Sequence, residues 1–284
     1  MQDEDRSASL VALLGWYREM GADQAVGEAP AGWLQKGDQP PGGEPAAAPP
    51  PQQPAQRHAP PPARPVPDRR PPPGAPPRAF PAATPDAAVM AARTAVRQAA
   101  TLDDLAAALA GFDGCSLKAT AKNLCFYRGV PRARLMLIGE APGRDEDLEG
   151  KPFVGRAGQL LDKMLAAISL GEKDVHITNI VYWRPPGNRT PTPQEAQVCR
   201  PFLERQVELV APELVVLLGG AAAKHILDVA DGIMRIRGKL REIEIGATRV
   251  QAIATLHPAY LLRTPAAKRL AWRDLLAIKA ALAG

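Results

Sequence analysis

Proline decides how this chain can be divided. Of the 31 prolines in 284 residues, 20 fall between Pro30 and Pro85, in a stretch otherwise rich in alanine and arginine. Each proline fixes one backbone torsion and removes one hydrogen-bond donor, so neither a helix interior nor a sheet ladder survives at that density. The stretch also has little apolar material to bury. It is expected to be a disordered, partly polyproline-like spacer, placed over about residues 28–90. The apolar residues (46% of the chain) must then do their work on either side of it. Collagen and coiled-coil architectures are excluded by pattern, and no apolar run approaches the length needed to span a bilayer.

Before the spacer, Leu10, Val11, Leu13, Leu14, Trp16, Tyr17 and Met20 form an apolar stripe at helical spacing, so residues 1–27 are read as an amphipathic helix. A single short helix cannot bury such a stripe alone and must dock on the main domain or on a partner. The first six residues are acidic and lead into no signal-type apolar core, so no export signal is expected. Three cysteines (Cys115, Cys125 and Cys199) are too few for a disulfide scaffold, which points to a reducing cytoplasm. The net charge of +5 is unevenly distributed. Residues 1–86 hold 8 basic against 10 acidic side chains, and the remainder holds 27 against 20. A basic folded part suits a polyanionic partner, and an ordinary solvated basic surface is the alternative.

From about residue 91 to the end, strand and helix patterns alternate. Residues 133–140, 175–183 and 214–220 are continuous apolar runs ending at glycine or polar residues. Residues 158–168, 193–210, 221–227 and 266–282 show helical periodicity. Residues 240–245 and 249–256 pair across Gly246. Apolar strands alternating with helices predict an α/β fold with three layers, its mostly parallel central sheet covered by helices on both faces. Such sheets carry their sites outside the carboxyl ends of the strands. Four of those ends are distinctive: Gly139-Glu140-Ala141-Pro142-Gly143, Thr178-Asn179, Gly219-Gly220 and Leu256-His257-Pro258. No nucleophile elbow, phosphate loop or dinucleotide fingerprint is present, and the four histidines lack the spacing of a zinc site. A carboxylate-rich loop (Arg144-Asp145-Glu146-Asp147) beside an amide and an imidazole is equipment for activating a water and stabilising a leaving group.

Three segments, GEAPGRDEDLEGKPFVGRAGQLLDKML (139–165), TNIVYWRPPGNRTPTP (178–193) and HPAYLLR (257–263), together resemble the family 4 uracil-DNA glycosylases, from about Phe112 to the C-terminus. The resemblance implies the uracil-DNA glycosylase fold and hydrolysis of the N-glycosidic bond of uracil in single- or double-stranded DNA. The base is first rotated out of the stack and an abasic site is left for base excision repair. It implies that Phe153 stacks on the extruded uracil and that Asn179 reads its Watson–Crick edge. His257 would donate to O2 as charge builds there, with backbone N–H groups near Glu140 and Ala141 sharing the load. Glu140 is the first candidate for positioning the attacking water, followed by Glu146 and then Asp147. Tyr260, Leu261 and Leu262 resemble a wedge for the gap left by the base. Arg184, Asn188, Arg189 and Arg263 are candidate phosphate contacts.

Members of that family carry a [4Fe–4S] cluster on four cysteines. Here Cys115 and Cys199 match two of those positions, but Lys118 and Trp183 occupy the other two. Neither can replace a thiolate, so no cluster or other metal is expected, with the family's [4Fe–4S] as the alternative. Cys125 is off the pattern, although folding could bring it near. The chain is further expected to act as a monomer in the cytoplasm on the nucleoid, without a membrane partner, and to meet a replication or repair protein through its N-terminal helix. A catalytically weak DNA-binding module acting through that helix and tether is the competing reading.

Overall fold

The computed structural model describes residues 85–283. The amphipathic helix expected at residues 1–27, and the spacer up to residue 84, lie outside the described residues.

The spacer was expected to run to residue 90, but helix α1 (Pro85–Val96) opens at Pro85, so residues 85–90 are helical. Proline suits a first helical position, because its missing N–H would have no partner there anyway. Helix α2 (Leu102–Gly111) is started by Thr101, whose side chain accepts from the Asp104 N–H at 3.1 Å while the Asp104 carboxylate accepts from the Thr101 N–H at 2.9 Å. This reciprocal cap fixes the helix boundary, and Leu102, Leu105 and Leu109 form its buried face.

Among the described residues six strands form one sheet: β1 (Arg128–Gly129), β2 (Leu135–Gly139), β3 (Val175–Asn179), β4 (Leu214–Leu218), β5 (Leu240–Ile245) and β6 (Thr248–Thr255), in the order β1-β3-β2-β4-β6-β5. β3, β2, β4 and β6 run parallel, and the two edge strands are antiparallel to their neighbours. Every residue of β2, β3 and β4 is buried, the expected condition of strands with helices on both sides.

The remaining helices are α3 (Arg144–Glu149), α4 (Arg156–Ala166), α5 (Pro193–Val210), α6 (Gly220–Leu227), α7 (Ile233–Ile236), α8 (Pro258–Arg263) and α9 (Lys268–Ala283). On one face Met136, Ile138, Val215 and Leu217 meet the apolar sides of α1, α2, α5 and α6. On the other, Leu135, Leu137, Val216 and Leu218 meet α4, α8 and α9. The molecule therefore has the three layers expected, with β2 between strands whose connections run to opposite sides. Register aligns Gly139 with Asn179 and Leu218 with Thr255, so the carboxyl ends share one rim.

The strand expected at 175–183 leaves the ladder at Asn179. Ile180, Val181, Tyr182 and Trp183 stay buried without joining a strand, and the Tyr182 carbonyl accepts from the Cys125 N–H at 2.9 Å. Beneath β3, Tyr182 donates to the Gln206 Oε1 at 2.9 Å. The Gln206 amide donates to His176 Nε2 at 2.9 Å, and His176 Nδ1 donates to the Val130 carbonyl at 2.7 Å. Both ring nitrogens of His176 are thus satisfied only in the neutral form, and burial pulls its pKa down to about 4. No described helix is long and apolar enough to cross a membrane.

Candidate active site

A cavity of about 740 Å3 opens at the carboxyl rim, between the ends of β2, β3, β4 and β6, with Glu140, Phe153, Asn179 and His257 in its wall. A cavity of that size holds a small ligand with room for its attachment.

Gly139, the last residue of β2, sets the centre. A Cβ there would lie 2.4 Å from Asn179 Oδ1 and 2.5 Å from the end of the Phe153 ring. Only a residue without a side chain lets the amide and the ring meet over the strand end. Asn179 is 1% exposed, and neither its Oδ1 nor its Nδ2 finds a partner among the described residues. Burying an unpaired carboxamide costs about 1–3 kcal/mol per unsatisfied group. A donor and an acceptor are therefore held unpaired, side by side, at a residue that lines the cavity.

Phe153 is held in left-handed backbone (φ 57°), uncommon for an aromatic residue. The loop around it is clamped from two directions. Gly158 in α4 approaches so closely that a Cβ would collide with the Phe153 carbonyl. The Glu146 carboxylate accepts three backbone N–H groups, from Gly143 (3.0 Å), Val154 (3.1 Å) and Gly155 (3.0 Å). The Phe153 ring in turn stacks against His257, centroids 5.6 Å apart and planes 30° from parallel.

His257 sits at the start of α8, where its Nδ1 accepts from the Ala259 N–H at 3.1 Å, so the remaining hydrogen is on Nε2. Burial, and then the charge of Arg263, pull its pKa down to about 4. The ring is therefore a neutral donor at physiological pH. Gly219, at φ 92°, makes room for it, since a Cβ there would stand 2.9 Å from the His257 Cβ.

The three carboxylate candidates separate sharply. Glu140 lines the cavity and makes no hydrogen bond or ion pair with any described residue. Glu146 borders the cavity but is committed to the three N–H groups, so it holds the loop. Asp147 turns away: its Oδ1 accepts from the N–H groups of Lys122 (2.7 Å) and Asn123 (3.2 Å), and Arg184 stands 4.0 Å from Oδ2. Asp147 thus braces residues 122–123.

The expected DNA contacts need two corrections. Leu261 is 1% exposed and belongs to the core against α4 and α9, so it is no wedge. Residues 260–262 lie on helix α8 rather than in a loop, and the helix turns Tyr260 and Leu262 outward, each 37% exposed, while Leu261 points in. Arg189 lines the cavity, but its guanidinium forms a two-pronged pair with Glu195 (2.8 and 2.6 Å), which holds the Glu195 carboxyl down at about 2. Its first task is to fasten the 184–192 loop to α5. Arg184 donates to Asn188 Oδ1 at 2.7 Å across the same loop. Ala141, expected at the uracil, and Asn188 and Arg263, expected at phosphates, border the cavity.

Sequence reasoning missed Ile233 and Met234, which also line the cavity, Met234 being 57% exposed. Helix α7 is a single turn, too short for periodicity to reveal. It is anchored by Arg237, which pairs with buried Asp274 (3.0 and 2.6 Å), and Asp274 also accepts from Thr255 at 2.6 Å, two residues before His257.

The cluster positions fail a test of fit. Cys115 and Cys199 are buried with their sulfurs 3.9 Å apart. Lys118 reaches away to Asp113 and the Ala110 carbonyl, both at 2.6 Å, and Trp183 is packed in the core. Cys125 donates instead to the Glu146 carbonyl at 3.1 Å. Among the described residues no three His, Cys, Asp or Glu side chains converge as a metal site, and two thiolates cannot hold a four-iron cluster.

Residues 126–276 match the model of the uracil DNA glycosylase superfamily. A type-4 uracil-DNA glycosylase of Archaeoglobus fulgidus is 44% identical over 169 residues, which cover 58% of this chain and 85% of that relative. One of Pyrobaculum aerophilum is 38% identical, covering 57% and 85%. One of Thermotoga maritima is 41% identical, covering 52% and 77%.

Proposed function

The chain belongs to the type-4 uracil-DNA glycosylases of the uracil DNA glycosylase superfamily, and from that membership we propose how its own residues remove uracil from DNA. The enzyme hydrolyses the bond between uracil N1 and the deoxyribose C1′, leaving an abasic site. The base must leave the stack first. In the cavity it lies against Phe153, whose ring is already fixed by the loop clamp and by His257. The open donor and acceptor of Asn179 meet uracil O4 and N3–H. Cytosine presents the reverse pair, so an amide fixed in one orientation rejects it.

As the glycosidic bond lengthens, negative charge collects on the uracil and positive charge on the sugar. The neutral His257 gives its Nε2–H to O2. A donor already neutral, with Arg263 nearby, stabilises that charge without first gaining a proton. Glu140, whose carboxylate is uncommitted, orients the water that adds to C1′ and faces the oxocarbenium-like sugar. Glu146 acts on the loop alone. Leu262 and Tyr260 fill the space vacated by the base, and Arg263 and Arg184 meet phosphates beside it. The same reading leaves the chain without a resident iron–sulfur cluster. It works as a monomer in the cytoplasm on nucleoid DNA, with residues 1–27 engaging a replication or repair protein.

The open Asn179 amide beside Phe153 carries this reading. The test is uracil release from single- and double-stranded oligonucleotides. Wild-type protein releases uracil, whereas Asn179→Ala and His257→Ala lose roughly 100- to 1,000-fold. Wild-type protein that binds DNA but frees no base would return the chain to the weak-module reading.

A further inference from the structure

Cys115 and Cys199 are 84 residues apart in sequence, yet their sulfurs are in contact at 3.9 Å, with the Cys199 thiol directed at Cys115. Cys115 stands at the start of the single 3-10 turn Ser116–Ala119, and Cys199 lies in the second turn of α5. We propose that this pair is a peroxide-reactive dithiol that closes to a disulfide, a covalent cross-link between the 116–119 turn and α5. The inference rests on the absence of a resident cluster in the reading above, and not on the catalytic roles given there.

Three observations support it. The sulfurs need to close from 3.9 Å to the bonding distance of about 2.05 Å, a change within reach of small side-chain rotations. Cys115 is buried but borders a second cleft, of about 450 Å3, together with Ser116, Thr192 and Glu195, the side from which a small oxidant would come. Cys125 is held apart, its S–H given to the Glu146 carbonyl and its pKa pushed up by burial to about 12, so it does not compete.

The step balances with hydrogen peroxide as oxidant. The Cys115 thiolate attacks one peroxide oxygen, the O–O bond breaks, and the departing hydroxide takes a proton to become water. Cys115 is now a sulfenic acid. The Cys199 thiol, already directed at Cys115, attacks that sulfur, an S–S bond replaces the S–O bond, and the departing hydroxide takes the thiol proton and leaves as a second water. Two thiols are oxidised by two electrons and the peroxide is reduced. A dithiol reductant reverses the cross-link.

The neighbourhood gives the cross-link a structural reach. Ser116 Oγ lies 3.4 Å from Glu195 Oε1, and Glu195 grips Arg189 on the wall of the active-site cavity. The disulfide would fasten covalently the same region that Lys118 and Glu195 hold through hydrogen bonds.

The test treats full-length reduced protein with hydrogen peroxide, counts free thiols under denaturing conditions, and maps peptides by mass. The expected result is a fall from three free thiols to one, with Cys125 the survivor. A linked peptide pair two hydrogens lighter and a melting temperature raised by several degrees should accompany it. In Cys199→Ser, Cys115 is left as a sulfenic acid that a cyclic dione traps. Three thiols retained, loss of Cys125 instead, or Cys115 carried to sulfinic acid without a link would overturn the proposal. So would iron and labile sulfide in anaerobically purified protein.

Discussion

A carboxamide buried with nothing to bond to is destabilising, and a phenylalanine in left-handed backbone is strained, yet the two occur side by side at Gly139. Such costs persist where the surrounding structure overrules them, and they point to a site arranged for a ligand. Gly139 therefore belongs to the binding machinery although it makes no contact through a side chain. Gly139→Ala should displace the Asn179 amide or the Phe153 ring by enough to cost roughly 100-fold in kcat/KM on single-stranded substrate. Its melting temperature should fall little, because both neighbours are side-chain ends that can move. A variant as active as wild type would show that the close approach is unimportant. Asn179 and His257 stood out because each sits at a strand end, and Phe153 because the string around it resembles that of a known family. The separate fates of Glu140, Glu146 and Asp147 were not legible, since adjacent acidic residues look alike until the backbone decides which carboxylate meets which N–H.

Elements decide which way a side chain faces. The string Tyr260-Leu261-Leu262 reads as three equivalent apolar residues, and a loop would let all three reach DNA. Helix α8 instead turns Leu261 into the core between α4 and α9. The two leucines should then behave differently. Leu261→Ala should destabilise the fold by about 2–5 kcal/mol in denaturant titration. Leu262→Ala should stay within about 0.5 kcal/mol of wild type. It should slow uracil release from double-stranded DNA more than from single-stranded DNA, where no partner stack has to be held open. Equal destabilisation by both would contradict the orientation of α8. Helix α1 shows the opposite limit of sequence reading. α1 was partly assigned to the spacer because alanine-rich helix and alanine-rich linker share a composition, and only packing on α5 distinguishes them.

At the scale of the molecule, burial of histidine sets a pH dependence. His176 titrates near 6.5 when unfolded and at about 4 when folded. Between those values the unfolded chain binds the proton and the folded one does not, so stability rises with pH across the window. His176 alone should account for about 3 kcal/mol of loss as pH falls from 6.5 to 4, with buried His257 adding to the slope in the same direction, and His176→Gln should remove only the His176 part in thermal melts. A slope unchanged by His176→Gln would mean that His176 is protonated in the fold. The fold class and the alternation of the main strands and helices were legible in the sequence itself. Apolar runs, caps and glycine-bearing strand ends are local signals, and a parallel sheet places its site at the strands' carboxyl ends. Only the tertiary structure decided that Arg189 serves Glu195, that α7 lines the cavity, and that Cys115 meets Cys199 while Cys125 stands apart. Each depends on segments distant in the chain packing together, and no spacing along one strand or helix encodes which distant partner a side chain will find.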